Sequence, residues 1–165
     1  MRPRRWAGVD PSLYCTGWAV VEYADKGYEY IASGHIKTKA KDGLPCRLWR
    51  IASKLGEELD KYLKHADGIA MEKTAAYAIN QNTNRLLHCV QGVTLAASYP
   101  RANTIRELHP TQWRKFLGNG HMDKEQVKAV VTTLLGREAL AHVSIMDEYE
   151  ALGIAMAGPS IGDIG

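Results

Sequence analysis

The chain has 165 residues, of which 45% are hydrophobic and 24% charged, a length and composition that suit one globular domain and exclude two. The formal net charge of +3 permits nucleic acid as a partner without requiring it, and three widely spaced cysteines fit neither a disulfide framework nor a zinc pattern. Because no apolar run reaches membrane-spanning length, we expect a cytoplasmic protein with reduced thiols and no membrane partner.

Hydrophobic periodicity and turn residues predict five strands and five helices. In chain order they are two strands within 6–22, a strand over 28–38, a helix over 46–65, a strand over 69–72, a helix over 85–98, a strand over 104–108, and helices over 111–116, 124–135 and 144–156. We predict that these elements form a single domain over residues 1–158. The tail, 159–165, has no periodicity and is expected to be mobile.

The order of these elements predicts an α/β protein. We expect a mixed five-stranded sheet, antiparallel at one edge, parallel through the middle and flanked by helices. Functional sites of such folds gather where the central parallel strands end. Asp10 and Glu72 each end an apolar strand, so their carboxylates become neighbours if these two strands pair.

Asp10 closes its strand before a Pro-Ser turn, and this stretch alone leaves two interpretations equal. A carboxylate at the mouth of a hydrophobic strand is costly to bury, and an approaching cation offsets that cost. Alternatively, Asp10 caps the turn by accepting a hydrogen bond from a nearby backbone N–H. The positions of the other acids favour the first interpretation.

Further acids lie at the start of the last predicted helix. Asp147 and Glu150 are three residues apart and share a helix face, whereas Glu148 lies well round the cylinder and is expected to be solvated. A purely structural alternative is a capping box in which Asp147, three residues after Ser144, serves only the helix N-terminus.

Four acids from three separate segments therefore converge in the predicted fold. Mutual repulsion makes such a cluster unfavourable without a cation. Mg²⁺ or Mn²⁺ takes carboxylate oxygens, and two such ions about 4 Å apart can activate a water and stabilise the leaving oxygen in phosphodiester hydrolysis. The absence of histidine and cysteine at ligand spacing argues against zinc.

Three motifs, GVDPSLYCTGWAVVE, IAMEK and DEYEALGIAMA, resemble the RuvC family of Holliday junction resolvases. The resemblance runs from Trp6 to about Gly158 and includes HPTQWRKFLGNGHMDKEQVKAVVTTLL before the last helix. It implies an RNase H-like fold, a homodimer, and paired Mg²⁺-dependent nicks across a four-way DNA junction that leave 5′ phosphates. We expect the helix over 85–98 to form the dimer interface, and its Leu/Val face fits a core helix equally well.

The resemblance also implies site residues by position. The acids that bind the metal, two Mg²⁺ ions per site or Mn²⁺ in their place, are Asp10, Glu72, Asp147 and Glu150. Lys124 matches a family lysine that contacts the DNA backbone near the scissile phosphate, and it is counted with the catalytic residues. The other candidate DNA contacts are Lys73, Tyr77, Arg114 and Lys115.

Three positions depart from the family pattern. Glu150 stands where an aspartate is usual, and Ser12 replaces a frequent glycine. Ala75 stands where the family often has an aromatic residue wedged at the junction centre, so that the nearest ring is Tyr77. These departures favour a phage or prophage member of the family.

The leading hypothesis is a structure-selective endonuclease that acts on branched DNA in a bacterial cell or a phage-infected host. One alternative is a branched-DNA-binding protein without cleavage, which the four acids oppose because carboxylates without metal repel phosphate. Another is RNase H-type cleavage of RNA–DNA hybrid, since a fold does not fix its substrate. An actin-like phosphotransferase is disfavoured because that class needs two such domains.

Overall fold

The computed structural model describes residues 4–25, 27–63, 68–74 and 80–161. Within these ranges the elements follow the predicted order. The strands are β1 (Arg4–Asp10), β2 (Cys15–Ala24), β3 (Gly27–Lys37), β4 (Gly68–Glu72) and β5 (Ile105–Leu108), and the helices are α1 (Leu44–Tyr62), α2 (Gln81–Ser98), α3 (Pro110–Leu117), α4 (Lys124–Leu135) and α5 (Met146–Ala157). None of the described helices is both long and apolar enough to cross a membrane.

The five strands form one mixed sheet in the order β3-β2-β1-β4-β5. The first three strands are an antiparallel meander, in which Asp10 of β1 pairs with Gly17 of β2 and Gly17 pairs with His35 of β3. Both β1 with β4 and β4 with β5 are parallel pairs. The predicted α/β class, with antiparallel strands at one edge and parallel strands through the middle, is confirmed.

Helices cover both faces of the sheet. One apolar layer contains Ala7 and Val9 of β1 and packs against α1 and α2, while the other contains Trp6 and packs against α3, α4 and α5. Successive side chains of a strand point to opposite faces. Asp10, like Trp6, therefore belongs to the face that α5 covers.

Helix α5 lies unusually close to β1 and β2. A Cβ added at Gly8 would be 1.9 Å from the Ala151 carbonyl oxygen, and one added at Gly17 would be 2.1 Å from the Asp147 carbonyl oxygen. Only a residue without a side chain fits at such distances. The two glycines therefore bring the backbone of α5 onto the strands beside Asp10.

Helix α1 begins and ends earlier than the predicted range of 46–65. It begins at Leu44, because Pro45 fits the first turn, where a backbone N–H has no partner within the helix. It ends at Tyr62. Residues 64–67 lie outside the described ranges.

Helix α2 begins one turn before the predicted residue 85. Asn80 caps it, since its side-chain oxygen accepts a hydrogen bond from the backbone N–H of Thr83 at 2.8 Å. Residues 75–79, which belong to the loop predicted before this helix, are not among the described residues.

The last described residues return to α5. The backbone N–H groups of Ser160 and Ile161 donate hydrogen bonds to the Ala157 carbonyl at 3.1 and 3.2 Å, and the Ile161 side chain packs against the adjacent apolar layer. Residues 159–161 of the predicted mobile tail are therefore held in a turn. The remainder, 162–165, lies outside the described residues.

Candidate active site

Three carboxylates meet at the carboxyl end of β1. Asp10, Asp147 and Glu150 each offer one oxygen atom, and these oxygens all lie within 4.8 Å of one another. Asp10 and Asp147 are partly buried, and Glu150 is 4% exposed. Residues far apart in the sequence thus form one compact acidic centre, which we define as these three side chains.

The backbone explains this meeting. Asp10 ends β1 on the face that α5 covers, and its register partner is Gly17 of β2. Because the first turn of α5 lies directly on Gly17, Asp147 is brought beside Asp10. Glu150 lies three residues further along α5, where a helix places it on the same face as Asp147.

Other side chains hold the turn that follows Asp10. Ser12 Oγ accepts hydrogen bonds from the backbone N–H groups of Tyr14 and Cys15 at 3.4 and 3.5 Å. Thr16 Oγ1 donates a hydrogen bond to the Ser12 carbonyl at 2.7 Å. The turn therefore does not need the Asp10 carboxylate as a cap.

Asp147 does not cap its helix. The N-cap residue of α5 is Ile145, which makes no side-chain capping hydrogen bond with the described residues, so the alternative of a capping box from Ser144 to Asp147 is wrong. The Asp147 carboxylate instead faces the Cys15 thiol. Burial, together with this carboxylate, raises the pKa of that thiol to about 11.

Burial and repulsion oppose ionisation in the acidic centre. The pKa of Asp10 is raised well above its usual value by burial first, and then by the carboxylates of Glu72, Glu150 and Asp147. Burial likewise raises the pKa of Glu72, and Glu150 adds to this shift. Carboxylates arranged in this way are stabilised by a bound cation.

Glu72 lies beside the acidic centre rather than within it. It follows Met71, which pairs with Val9 immediately before Asp10, so the two strand ends are neighbours as predicted. Glu72 Oε2 accepts a hydrogen bond from Trp113 Nε1 at 2.8 Å. Because Trp113 is fully buried in α3, its indole fixes the orientation of the carboxylate. Trp113 was not among the predicted site residues, and its signal in the sequence is a tryptophan on the apolar face of a short helix.

Two of the predicted DNA-contacting cations pair with Glu150. Arg114 Nη2 lies 3.1 Å from Glu150 Oε1, and Lys124 Nζ lies 2.9 Å from Glu150 Oε2. Glu150 interacts with the Lys124 ammonium as a hydrogen-bond acceptor, and this interaction raises the pKa of Lys124. The Lys124 side chain is 59% exposed and that of Glu150 only 5%, so Lys124 reaches the centre from the solvent side.

The other predicted DNA contacts lie further out. Lys73, the residue after Glu72, is exposed, and so is Lys115 on α3. Tyr77, with the departure at Ala75, lies outside the described residues. The structure thus brings Lys124 and Arg114 to the acidic centre, and it leaves Lys73 and Lys115 on the surface.

A family model described as crossover junction endodeoxyribonuclease RuvC matches residues 7–158. The chain belongs to the RuvC family. The RuvC of Rickettsia conorii is 32% identical over 149 residues, which are 90% of this chain and 92% of that relative. A Thermus thermophilus RuvC structure matches with a TM-score of 0.78 at 25% identity, over 93% of this chain and 92% of that one. The structure of T. thermophilus RuvC in complex with a Holliday junction substrate has the same TM-score at 22% identity, over 93% and 91%.

Membership of the RuvC family confirms the predicted RNase H-like fold and the enzyme class. The protein is a structure-selective endonuclease of the crossover junction type, and the matched residues 7–158 coincide with the resemblance drawn from the motifs. The acidic centre agrees with the metal dependence of RuvC nucleases. An origin in a phage stays a prediction.

The predicted exposure of Glu148 in this RuvC-family chain is wrong. It is 7% exposed rather than solvated. Its Oε2 accepts a hydrogen bond from Ser33 Oγ at 2.6 Å, and its Oε1 lies 2.7 Å from His35 Nδ1. The expectation was wrong because α5 contacts β3 as well as β1 and β2, so the helix face beside Asp147 meets the edge strand instead of water.

Proposed function

We propose that this RuvC-family chain resolves four-way DNA junctions as a metal-dependent homodimer, by paired nicks that leave 5′ phosphates. The observation that supports metal dependence is the acidic centre itself. Three carboxylate oxygens within 4.8 Å of one another, around a partly buried Asp10 whose pKa is raised, are unfavourable unless a cation balances their charge.

The chemistry of the donor set fits a hard divalent cation. Mg²⁺ and Mn²⁺ prefer oxygen ligands, and the acidic centre offers carboxylates without a histidine or a thiol among its three members. We propose that Asp10, Asp147 and Glu150, with Glu72 as a fourth ligand, hold two Mg²⁺ ions. Such ions, when bound, activate an attacking water and stabilise the leaving 3′ oxygen.

Two cations at the rim of the acidic centre reduce its repulsion of the DNA backbone. Carboxylates repel the phosphate backbone, and the positive charges paired with Glu150 reduce this repulsion. We assign Lys124, the more exposed of the two, to the scissile phosphate. Arg114, whose guanidinium lies 4.9 Å from the centre of the Trp113 ring, orients Glu150. Lys73, Lys115 and Tyr77 are proposed to contact the DNA further out.

The homodimer is proposed to form through α2. A two-fold axis would place two active sites on symmetry-related strands, which suits a nearly symmetric four-way junction. Support comes from Leu87 and Leu95, which are apolar residues of α2 that the described residues cover only in part. Because the DNA of a bacterial cell or of an infecting phage lies in the cytoplasm, we expect the enzyme to act there.

The first experiment is cleavage of a labelled, immobile four-way junction, with linear duplex as the competing substrate, in Mg²⁺ and in EDTA. We expect symmetric nicks on the junction in Mg²⁺ and none in EDTA. Asp10→Asn should bind the junction and reduce nicking by at least about a thousandfold, since it removes a group on which the metal chemistry depends. Glu57→Gln is the matched control, because Glu57 is an exposed acid of α1 and its loss should leave nicking unchanged.

Three outcomes would contradict the proposal. Junction binding without nicks in either Mg²⁺ or Mn²⁺ would favour the non-cleaving DNA-binding protein. Preferential cleavage of an RNA–DNA hybrid would favour the RNase H-type activity. Nicking that persists in Asp10→Asn would remove Asp10 from the metal site.

A further inference from the structure

We propose that Glu148 is a positioning residue, which holds the first turn of α5 on the edge of the sheet and thereby aligns Asp147 and Glu150 for the metal. The inference rests on the proposed function, since it takes these two acids as ligands. Glu148 does not itself belong to the acidic centre. Its role is to fix the backbone that carries two of the centre's three members.

The contacts of Glu148 are short and directed at one strand. Both carboxylate oxygens are engaged, one by the Ser33 hydroxyl at 2.6 Å and the other by the His35 ring at 2.7 Å. Ser33 and His35 are two residues apart on β3 and therefore point to the same face. A carboxylate that engages two groups of one strand fixes both its distance and its rotation relative to that strand.

The position of these contacts explains why they act on the acidic centre. Gly17 of β2 pairs with Asp10 on one side and with His35 on the other, and the Asp147 backbone rests on Gly17 between them. The first turn of α5 thus lies across β2, with the Asp147 carboxylate reaching β1 and the Glu148 carboxylate reaching β3. Rotation of this turn about the helix axis, or its displacement away from the sheet, therefore moves both carboxylates together.

Among the described residues, the first turn of α5 is not held by a capping side chain at its N-terminus. Its N-cap residue, Ile145, forms no capping hydrogen bond through its side chain within the described part of the chain. A helix N-terminus without such a cap frays more readily. The hydrogen bonds of Glu148 take the place of that cap, and they do so through the sheet instead of through the helix's own backbone.

A small polar network supports the same position from β3. Tyr30 Oη lies 3.2 Å from Ser33 Oγ and 2.8 Å from His142 Nε2, so it links β3 to the segment that precedes α5. The Ser33 hydroxyl therefore lies between Tyr30 and Glu148. This network lets the partners of Glu148 be tested from the β3 side as well.

Mn²⁺ binding, measured by calorimetry on the full chain without DNA, tests the inference. Glu148→Ala should raise the Kd for Mn²⁺ about tenfold, the effect typical of losing a residue that orients a ligand. Glu148→Gln should recover most of the affinity, because its amide can still accept a hydrogen bond from the Ser33 hydroxyl and form one with the His35 ring. The half-saturating Mg²⁺ concentration for nicking should rise in parallel, with little change in the rate at saturating metal.

Two further variants separate positioning from general loss of stability. Ser33→Ala removes one contact from the β3 side, and its effect on the Kd should not add to that of Glu148→Ala in the double variant. Tyr149→Phe is the matched control. It removes a buried hydrogen bond of the same helix, from Tyr149 Oη to the Val143 carbonyl at 3.0 Å, and should leave the Kd unchanged.

The possible results are distinguishable. If the wild-type chain binds no Mn²⁺, the proposed metal site fails and this inference fails with it. If the wild-type chain binds Mn²⁺ and both Glu148→Ala and Ser33→Ala bind it equally well, the inference alone is overturned. An equal loss of affinity in Tyr149→Phe would also overturn it, since any weakening of α5 would then suffice.

Discussion

Single residues of the acidic centre lower the stability of the fold while no cation balances them. Asp10 shows this most clearly, because burial and three neighbouring carboxylates raise its pKa. A carboxyl group whose pKa is higher in the folded state than in the unfolded state holds its proton more tightly when folded. Its ionisation therefore destabilises the protein.

This sign gives a prediction for the protein in EDTA. The contribution of Asp10 to the free energy of unfolding falls as the pH rises from its ordinary pKa of 3.8 through the higher folded-state value. Asp10→Asn removes the ionisable group, so the variant should have a higher Tm than the wild type at pH 7, with the difference shrinking towards pH 4.

The same melting experiment in Mg²⁺ should reverse the order. A metal at a hundred times its Kd stabilises the folded state by about 2.7 kcal/mol, and the variant that lacks a ligand gains less. Glu57→Gln serves again as the control and should melt with the wild type in both conditions. An Asp10→Asn variant that melts below the wild type in EDTA would contradict the balance of charges described for this centre.

Some of these residues could be foreseen from the sequence, and others could not. Helical spacing places Asp147 and Glu150 on one face wherever the helix packs, so their meeting was predictable. The burial of Glu148 depends on how far α5 extends across the sheet, and the bond from Trp113 to Glu72 depends on how α3 docks. Such contacts are set by the packing of distant elements, which local spacing does not encode.

At the scale of elements, the distance between α5 and the sheet decides whether the carboxylates meet. Gly17→Ala would place a Cβ 2.1 Å from the Asp147 carbonyl oxygen, a backbone atom that cannot turn away. Forcing α5 off β2 in this way is expected to cost about 1–3 kcal/mol of the free energy of unfolding. Urea unfolding measures this loss, and calorimetry should show weaker Mn²⁺ binding.

Gly92→Ala is the matched control for this prediction. Gly92 lies in α2, and none of the described atoms is within 4 Å of a Cβ added there. Alanine favours a helix over glycine, so this variant should be as stable as the wild type or more stable by up to about 1 kcal/mol. If Gly17→Ala were as stable as the wild type, α5 could move away from β2 without lowering the free energy of unfolding.

The element order was predictable because apolar periodicity distinguishes strands from helices along the whole chain. The first residues of α1 and α2 were less predictable. Leu44 precedes a proline that looks like a loop residue but fits a first helical turn, and Asn80 caps a turn whose own residues are polar. Periodicity locates the buried middle of a helix, whereas capping decides where it begins.

At the scale of the whole molecule, the proposed homodimer gives another prediction. Leu87→Lys places a charge on the partly exposed side of α2, and a two-fold axis there would bring two such charges together. The dimer should weaken at least about tenfold, which corresponds to 1.4 kcal/mol. Light scattering after size exclusion should then report the mass of one chain.

Leu134→Lys provides the comparison for the dimer experiment. Leu134 is a hydrophobic residue of α4 that is 49% exposed, and the proposed interface does not include it. This variant should keep the mass and the paired nicking of the wild type. If Leu87→Lys also stays dimeric and cuts both strands in one encounter, the interface lies on another surface of the chain.

The pairing of β1 on both sides has a consequence for how the parts of the site open to solvent. Along most of its length this strand is paired on both sides, with β2 at one edge and β4 at the other. Amide hydrogens in such a strand exchange with solvent mainly when the entire molecule opens, whereas helix ends and loops open locally. We therefore expect slow exchange for the β1 amides up to Val9, the residue before Asp10, and faster exchange for the amides of the first turn of α5, which carries Asp147. Local opening of that turn would separate Asp147 from Asp10 while the sheet stays folded.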